Sequence, residues 1–428
     1  MSLISSRVFI YFILFSMTII PEVYLPVGRI GFCEIIGILM IISFGFQIYK
    51  REFGSFLPLI LAPFVIIFAV IYARFIMDCP YNQVYISVIL SYFRNIIYVV
   101  IGIYCGRTLP VKDFQKVIIF FLILSLFSIL IAWGQISSDF ILKVTQKLYN
   151  PSDFNSLNMT WETRPPGPFV RVFTYSFYTI IIFWLLIYYP SQNISPLLRG
   201  TLCGFIVASC VISQTKGALI ALTITFLIWS IKHIKTITKK YFEMLLLPIF
   251  LFPLLYVLVI WKELTRYAFF IEVMKLDWGS KFDYYFIQDI KSLDSRFSYI
   301  EMQWKNFINN PIFGNIYQAL VIDQNTDNLY FSQLSIAGIL GLLVILAIFY
   351  WVKSMKNRYE IVCAKYDQLK YHKCLAFMVY WSIISAYFLG ITWNFFVGNR
   401  AINILYFFWG ILEGSYSNIL KYEAKTSY

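Results

Sequence analysis

Four cations and one acid are the residues here whose type and spacing suit chemistry. Arg164, Arg171, Lys216 and Arg296 stand at the ends of apolar blocks or in the long stretches between them. Cations gathered on one face suit a multiply charged anion such as phosphate, which they hold by charge-assisted hydrogen bonds. Lys216 lies in Ser213-Gln214-Thr215-Lys216-Gly217, a tight turn that could have been neutral. It either snorkels to lipid headgroups or joins the other three in an anion pocket. Asp327 precedes Asn328 where an apolar block begins. An Asp at that place suits a helix N-cap, and it is also the acid held beside the cations at a helix-anchored position. Arg94 is separate, because it falls near the middle of an apolar block. An arginine there is costly unless paired or hydrated, so it is either a structural partner of Glu34 or part of a binding path for an anion.

Other chemistries lack their residues. There is no phosphate-cradling Gly-rich loop, no HExxH, no CxxC and no G-x-S-x-G. The two histidines, His233 and His372, are read into cytoplasmic loops, which leaves none for chemistry on the opposite face. The carboxylates form no paired-aspartate cluster, so neither a divalent metal nor another cofactor is expected. Of the seven cysteines, Cys33, Cys105, Cys203, Cys210 and Cys374 fall in or at the ends of apolar blocks, and Cys363 in a basic loop. Cys79 is left without a loop partner, so all are read as small apolar fillers rather than a disulfide framework.

The elements that must position these residues follow from composition. Of 428 residues, 60% are hydrophobic and only 13% charged, against roughly 25% charged in an ordinary soluble domain. The apolar residues come in blocks of about 18–24, long enough to span a hydrocarbon core of ~30 Å as helices. The blocks are apolar all round, where a soluble core would show one wet face. They lie at 7–24, 30–48, 56–74, 84–105, 114–133, 169–189, 197–213, 215–231, 244–261, 328–351, 374–393 and 397–413. The pair at 197–213 and 215–231 is the one most easily mistaken for a single span. The first block has no small-residue cleavage pattern after it and is read as a retained helix. Placing the N-terminus inside puts Lys50, Arg51, Arg107, Lys112, Lys116, the lysines from 232 to 240 and the cluster from Lys353 to Lys373 inside as well. Short loops on the other side hold only Arg29, Arg74, Lys216 and Arg400. This asymmetry predicts an all-α polytopic bundle of about twelve spans with both termini cytoplasmic, one integral membrane domain over 1–428. It also accounts for much of the net charge of +13 without nucleic acid as a partner.

Two stretches on the external side are too long to be turns, 134–168 and 262–327. Within the second, Phe297, Ile300, Trp304, Phe307 and Ile308 share one helical face, with Glu301 and Lys305 opposite. Asp294 or Ser295 can cap this segment and Pro311 ends it. The pattern predicts an amphipathic helix lying flat at the interface, its apolar face in lipid or against the bundle.

Four segments in order resemble the family of O-antigen ligases and Wzy-type polysaccharide polymerases. Arg164-Pro165-Pro166-Gly167-Pro168-Phe169 resembles the Arg-x-x-Gly-x-Phe with which that family begins a span. Ser213-Gln214-Thr215-Lys216-Gly217 resembles its Ser-x-Ser/Thr-Arg-Gly turn. The run from Arg296 through Trp304 to Asn310-Pro311-Ile312-Phe313-Gly314 resembles its stretch from an arginine to Pro-x-x-Gly. Asp327-Asn328, nine residues and Gly338-Ile339-Leu340-Gly341 resemble the ligase pattern of His-Asn, nine residues and Gly-x-x-Gly. Two positions depart from the pattern. Lys216 keeps the charge of the turn's arginine but loses bidentate phosphate recognition. Asp327 replaces the ligase histidine, which favours a polymerase over a ligase.

The resemblance implies transfer of a growing glycan from undecaprenyl diphosphate to a sugar hydroxyl of another lipid-linked repeat unit, at the external face of a bacterial inner membrane. Arg164 or Arg171, Lys216 and Arg296 would then stabilise the leaving diphosphate without a metal. Asp327 would be the general base for the acceptor hydroxyl, beside Asn328, with inversion at the anomeric carbon. External aromatics such as Trp161, Tyr330 and Trp393 would either stack on sugars or anchor the interface. The resemblance also implies a chain-length regulator as a further partner. The rival expectations are a ligase joining polymer to a lipid core and a lipid-linked oligosaccharide flippase, which Arg94 would also serve.

Overall fold

The computed structural model describes residues 6–21, 23–25, 28–39, 57–149, 165–169, 171–190, 194–213, 215–233, 298–322, 328–391 and 400–426. Among these residues the fold is helical apart from one small hairpin. In chain order the helices are α1 (Ser6–Thr18), α2 (32–39), α3 (Leu57–Phe75), α4 (Val84–Thr108), α5 (Phe114–Ser137), α6 (Asp139–Tyr149) and α7 (Val172–Tyr188). They continue as α8 (Pro196–Ile212), α9 (Lys216–His233), α10 (298–309), α11 (Leu329–Lys365), α12 (Lys370–Leu389) and α13 (Arg400–Thr426). Four helical stretches are long and apolar enough to cross a membrane, Val84–Thr108, Val111–Ser137, Leu329–Lys365 and Asp367–Leu389, and α1, α3, α7, α8 and α9 are shorter apolar helices. Large apolar side chains such as Phe68, Ile123, Phe127, Leu343 and Leu346 stand exposed on the outside, a surface that lipid can cover and that water would not tolerate.

The centre of the bundle is the pair α4 and α13. Gly102 and Gly106 on α4 meet Gly410 and Gly414 on α13, and these spacings are two small-xxx-small motifs facing each other. A methyl group at Gly102 would strike the Phe407 carbonyl, at Gly106 that of Ile411, at Gly410 that of Val99 and at Gly414 that of Ile103. The two backbones therefore touch, which is how helices gain van der Waals contact where lipid removes the hydrophobic drive.

Hydrogen bonds between helix ends sort those ends into two sets. At one end of the bundle, Arg400 heads α13 and donates to the carbonyls of Ser16 (3.1 Å) in the last turn of α1, of Ile20 (2.5 Å) just past it and of Pro168 (3.2 Å) before α7. Tyr149 closes α6 by donating to Ile19 O at 2.7 Å. At the other end, Arg7 meets Asp113 (3.1 Å), Asn418 donates to Arg107 O (2.8 Å) and Arg358 pairs with Glu413 (2.6 Å). Arg199, buried at the head of α8, donates to Ile187 O (3.3 Å) and Tyr189 O (2.6 Å) at the C-terminus of α7, where orphan carbonyls favour a cation.

Several expectations are corrected. The first span stops at Thr18 rather than 24, because Pro21 cannot continue a helix, and the chain turns into a hairpin pairing Val23–Leu25 with Gly28–Ile30. The stretch 134–168 is not all loop, since α5 runs to Ser137 and α6 follows at once. His372 is not a loop residue; it lies in α12, fully buried, with its ring stacked on Phe114 at 3.6 Å. The helix expected to start at 328 runs to Lys365 but is interrupted at Gly338 (φ 60°, ψ −152°). The span at 244–261 and most of the stretch 262–327 lie outside the described residues.

Candidate functional site

The interruption in α11 is where two of the four segments become one unit. At Gly338 the backbone takes a conformation reserved for glycine, and the turn Pro311–Asn315 fills the gap. Ile339 N–H donates to Pro311 O (2.9 Å) and Asn315 N–H donates to Ser335 O (2.8 Å). Gly314 (φ 65°) lies so close to the backbone of Ser335 to Ala337, and Gly338 to that of Pro311 and Ile312, that a side chain at either would collide with main chain. The Pro-x-x-Gly and the Gly-x-x-Gly are thus two halves of one joint. It satisfies the polar groups that a broken helix frees, as any non-helical backbone at membrane depth requires.

Helix α10 reinforces the joint from one side. Its Asn306 amide donates to Ser335 Oγ (2.5 Å), Ser335 O (3.2 Å) and Asn315 O (3.2 Å). Gln303 and Asn306 are buried, whereas Met302, Trp304 and Ile308 are exposed. Of the expected apolar face, Trp304 and Ile308 point out while Ile300 and Phe307 are half-buried, and it is Gln303 and Asn306 that turn to the bundle. Glu301 and Lys305 pair at 2.8 Å on the exposed surface, and the lysine's hydrogen bond and charge hold the Glu301 carboxyl below the usual range.

The other two segments are also tied together. Gln135 at the end of α5 grips the backbone of Gly167, its Oε1 accepting from Gly167 N (2.9 Å) and its Nε2 donating to Gly167 O (3.0 Å). Phe169 is fully buried, with Arg400 over its ring at 5.8 Å. This fixes the start of α7, where Arg171 is the exposed N-cap residue. Five residues on, Ser176 hydroxyl bonds Ser213 (2.6 Å) and donates to Thr215 (2.8 Å), both buried. The turn before α9 is thereby locked to α7, and Lys216 is the first residue of α9. Arg171 and Lys216 consequently stand at the same end of neighbouring helices.

Helix α12 joins the two assemblies. Its C-terminal Gly390 carbonyl accepts from Leu329 N (2.7 Å), and Ile391 O accepts from the Asn328 amide (2.9 Å). Deeper down, Ser385 accepts from Trp184 Nε1 (2.9 Å) and bonds Thr225 (3.0 Å), reaching α7 and α9. Asn328, rather than the expected Asp327, is the N-cap of α11, with its Oδ1 accepting from Tyr330 N (3.0 Å) and Phe331 N (3.1 Å). Tyr330 donates its hydroxyl to Tyr387 O at 2.7 Å.

Arg94 is paired. Its Nε lies 2.7 Å from Glu34 Oε1, and the same carboxylate accepts from Tyr98 OH (3.0 Å) and Gly31 N (2.7 Å). This is the structural pair that the sequence offered as one of two readings. Arg164, Arg296, Asp327, Trp161 and Trp393 lie outside the described residues, as does the Lys216 side chain. Gln135, Ser176, Asn306 and Arg400 organise the site without having been singled out for it. For Gln135, Ser176 and Arg400 the signal is a polar side chain within or bordering an apolar block, which needs a partner; Asn306, inside the stretch 262–327, carries no such signal. Among the described residues no cluster of His, Cys, Asp or Glu could hold a metal. Compared with known families and curated proteins, the chain matches no family model and no curated protein.

Proposed function

We propose that this protein polymerises undecaprenyl-diphosphate-linked oligosaccharide repeat units into O-antigen or a related surface polysaccharide. In this reading it crosses the bacterial inner membrane about twelve times with both termini cytoplasmic, and its site opens to the exterior between the stretches 134–168 and 262–327. The acceptor sugar hydroxyl attacks the anomeric carbon of the donor, Asp327 takes the hydroxyl proton, and the bond to the diphosphate breaks with inversion. Arg164, Arg171, Lys216 and Arg296 receive the charge that builds on the leaving diphosphate. Asn328 caps the helix that would carry Asp327 to that place. Donor and acceptor lipids are the partners, with a chain-length regulator as a further one.

The observation that carries this reading is the pairing of the four resembling segments. Separated in sequence, they meet as the Gly338 joint and the Ser176–Ser213–Thr215 lock, bridged by α12. A flippase is the second reading, favoured by the same joint, because broken helices recur where transporters bind substrate. The test is glycan made by cells carrying Lys216→Ala or Arg296→Ala, resolved by size. Long chains should vanish while single-unit-capped lipid persists and the protein remains inserted in the membrane. Full-length polymer from both variants would refute the cation site, and failure of repeat units to reach the external face would favour the flippase.

A further inference from the structure

Only Ser138 separates α5 from α6, and α6 turns large apolar side chains outward that a helix in water would bury. Leu142, Thr145, Gln146 and Tyr149 face the protein. Phe140 (75% exposed), Val144 (40%) and Leu148 (54%) form an outward stripe at i, i+4 and i+8. Lys143 and Lys147 flank that stripe, both exposed. The orientation is pinned, because Gln135 Nε2 donates to Thr145 (2.9 Å) and Tyr149 donates to Ile19 O (2.7 Å). Along α5, Ile123, Leu126, Phe127 and Leu130 are exposed as well.

We propose that α6 is a lipid-docking helix: Phe140, Val144 and Leu148 enter the acyl boundary of the bilayer, and Lys143 and Lys147 engage anionic phospholipid headgroups. An amphipathic helix at the end of a membrane span lies in the interface plane, and lysines beside its apolar face draw it to negative lipid. The docked helix fixes the depth of Gln135 and hence of the Gly167 segment that it grips. This inference needs only that α5 spans the bilayer and is independent of the polymerase reading.

The test uses the full chain in nanodiscs of phosphatidylcholine with or without phosphatidylglycerol. Cys79 and Cys363 are replaced by serine, since the other five cysteines are buried. Nitroxide labels are then placed through Phe140→Cys, Val144→Cys, Leu148→Cys or Lys143→Cys. Labels at 140, 144 and 148 should collide with oxygen several-fold more than with a water-soluble nickel chelate, and the label at 143 should show the reverse. Phosphatidylglycerol should deepen the label at 144, and Lys143→Glu with Lys147→Glu should abolish that deepening. Nickel-accessible labels at 144 and 148 would overturn the docking. Depths indifferent to lipid charge and to charge reversal would overturn the headgroup assignment. Spin–spin broadening that grows with protein concentration would put a second copy on this face instead.

Discussion

Glycine serves opposite ends at the α4–α13 pair and at the Gly338 joint. In the pair, four glycines keep regular helical hydrogen bonding and only remove bulk, so that two intact backbones lie in contact. At the joint, Gly338 takes positive φ and opens the helical ladder, and Gly314 takes positive φ in the turn that must satisfy the polar groups so freed. The first arrangement is a packing surface whose strength grows with contact. The second is a fixed irregularity, and its partner turn comes from the long stretch that also contains Arg296. The contrast separates a part of the molecule that holds it together from a part whose shape is retained against local preference.

Substitutions can set the two regions against each other. The largest effect is expected from Gly102→Leu combined with Gly410→Leu. Backbone carbonyls cannot move aside as side chains do, so the loss should exceed the ~1–3 kcal/mol of ordinary overpacking, and no monodisperse protein should be recovered by gel filtration. Next comes Glu34→Ala, which leaves Arg94 on the same central helix without its partner. Breaking such a buried pair costs about 3–5 kcal/mol, read as a fall in thermal stability in detergent, and an unchanged melting point would show that Arg94 finds another partner. Gly338→Ala should cost at least the ~1–3 kcal/mol of backbone strain, because its methyl would also strike the main chain of Pro311 and Ile312, with polymer length falling by more than folded yield. A variant that loses yield and polymer equally would place the joint among the packing elements and erase the contrast. The smallest effect belongs to Asn328→Ala, about 1 kcal/mol for a lost N-cap, seen as faster amide exchange at Tyr330 and Phe331.

How legible these features were differs by residue. Block lengths locate helices where the structure has them, to within a turn or two at many ends. The end of α1 escapes the block pattern although Pro21 announces it, because apolar residues on both sides hide a hairpin of two three-residue strands that begins before the apparent span ends. The outward face of α10 was left open, since periodicity finds an apolar stripe without saying whether protein or lipid covers it. Gln303 and Asn306, buried on its other side, decide the matter. The Gly-x-x-Gly after Asn328 was read only as a resemblance. Its physical reason, a break filled by Pro311–Asn315, depends on a contact between distant segments that no local pattern encodes. The glycines of α4 and α13 went unread for the same cause: each motif is visible alone, but their facing one another is a fact of assembly.

Arg400 sets an order of events on the ribosome. The carbonyls of Ser16 and Ile20 that it caps lie 384 and 380 residues earlier in the chain. At ~5–20 residues per second the first helix is made ~20–80 s before its cap exists. The helices synthesised early must therefore wait in the membrane with that end unfinished, and with the glycine face of α4 unpartnered until α13 arrives. Completion of the bundle is thus a late, chain-closing step, and a nascent protein stalled before Arg400 would carry open carbonyls at one end as a mark of its incompleteness.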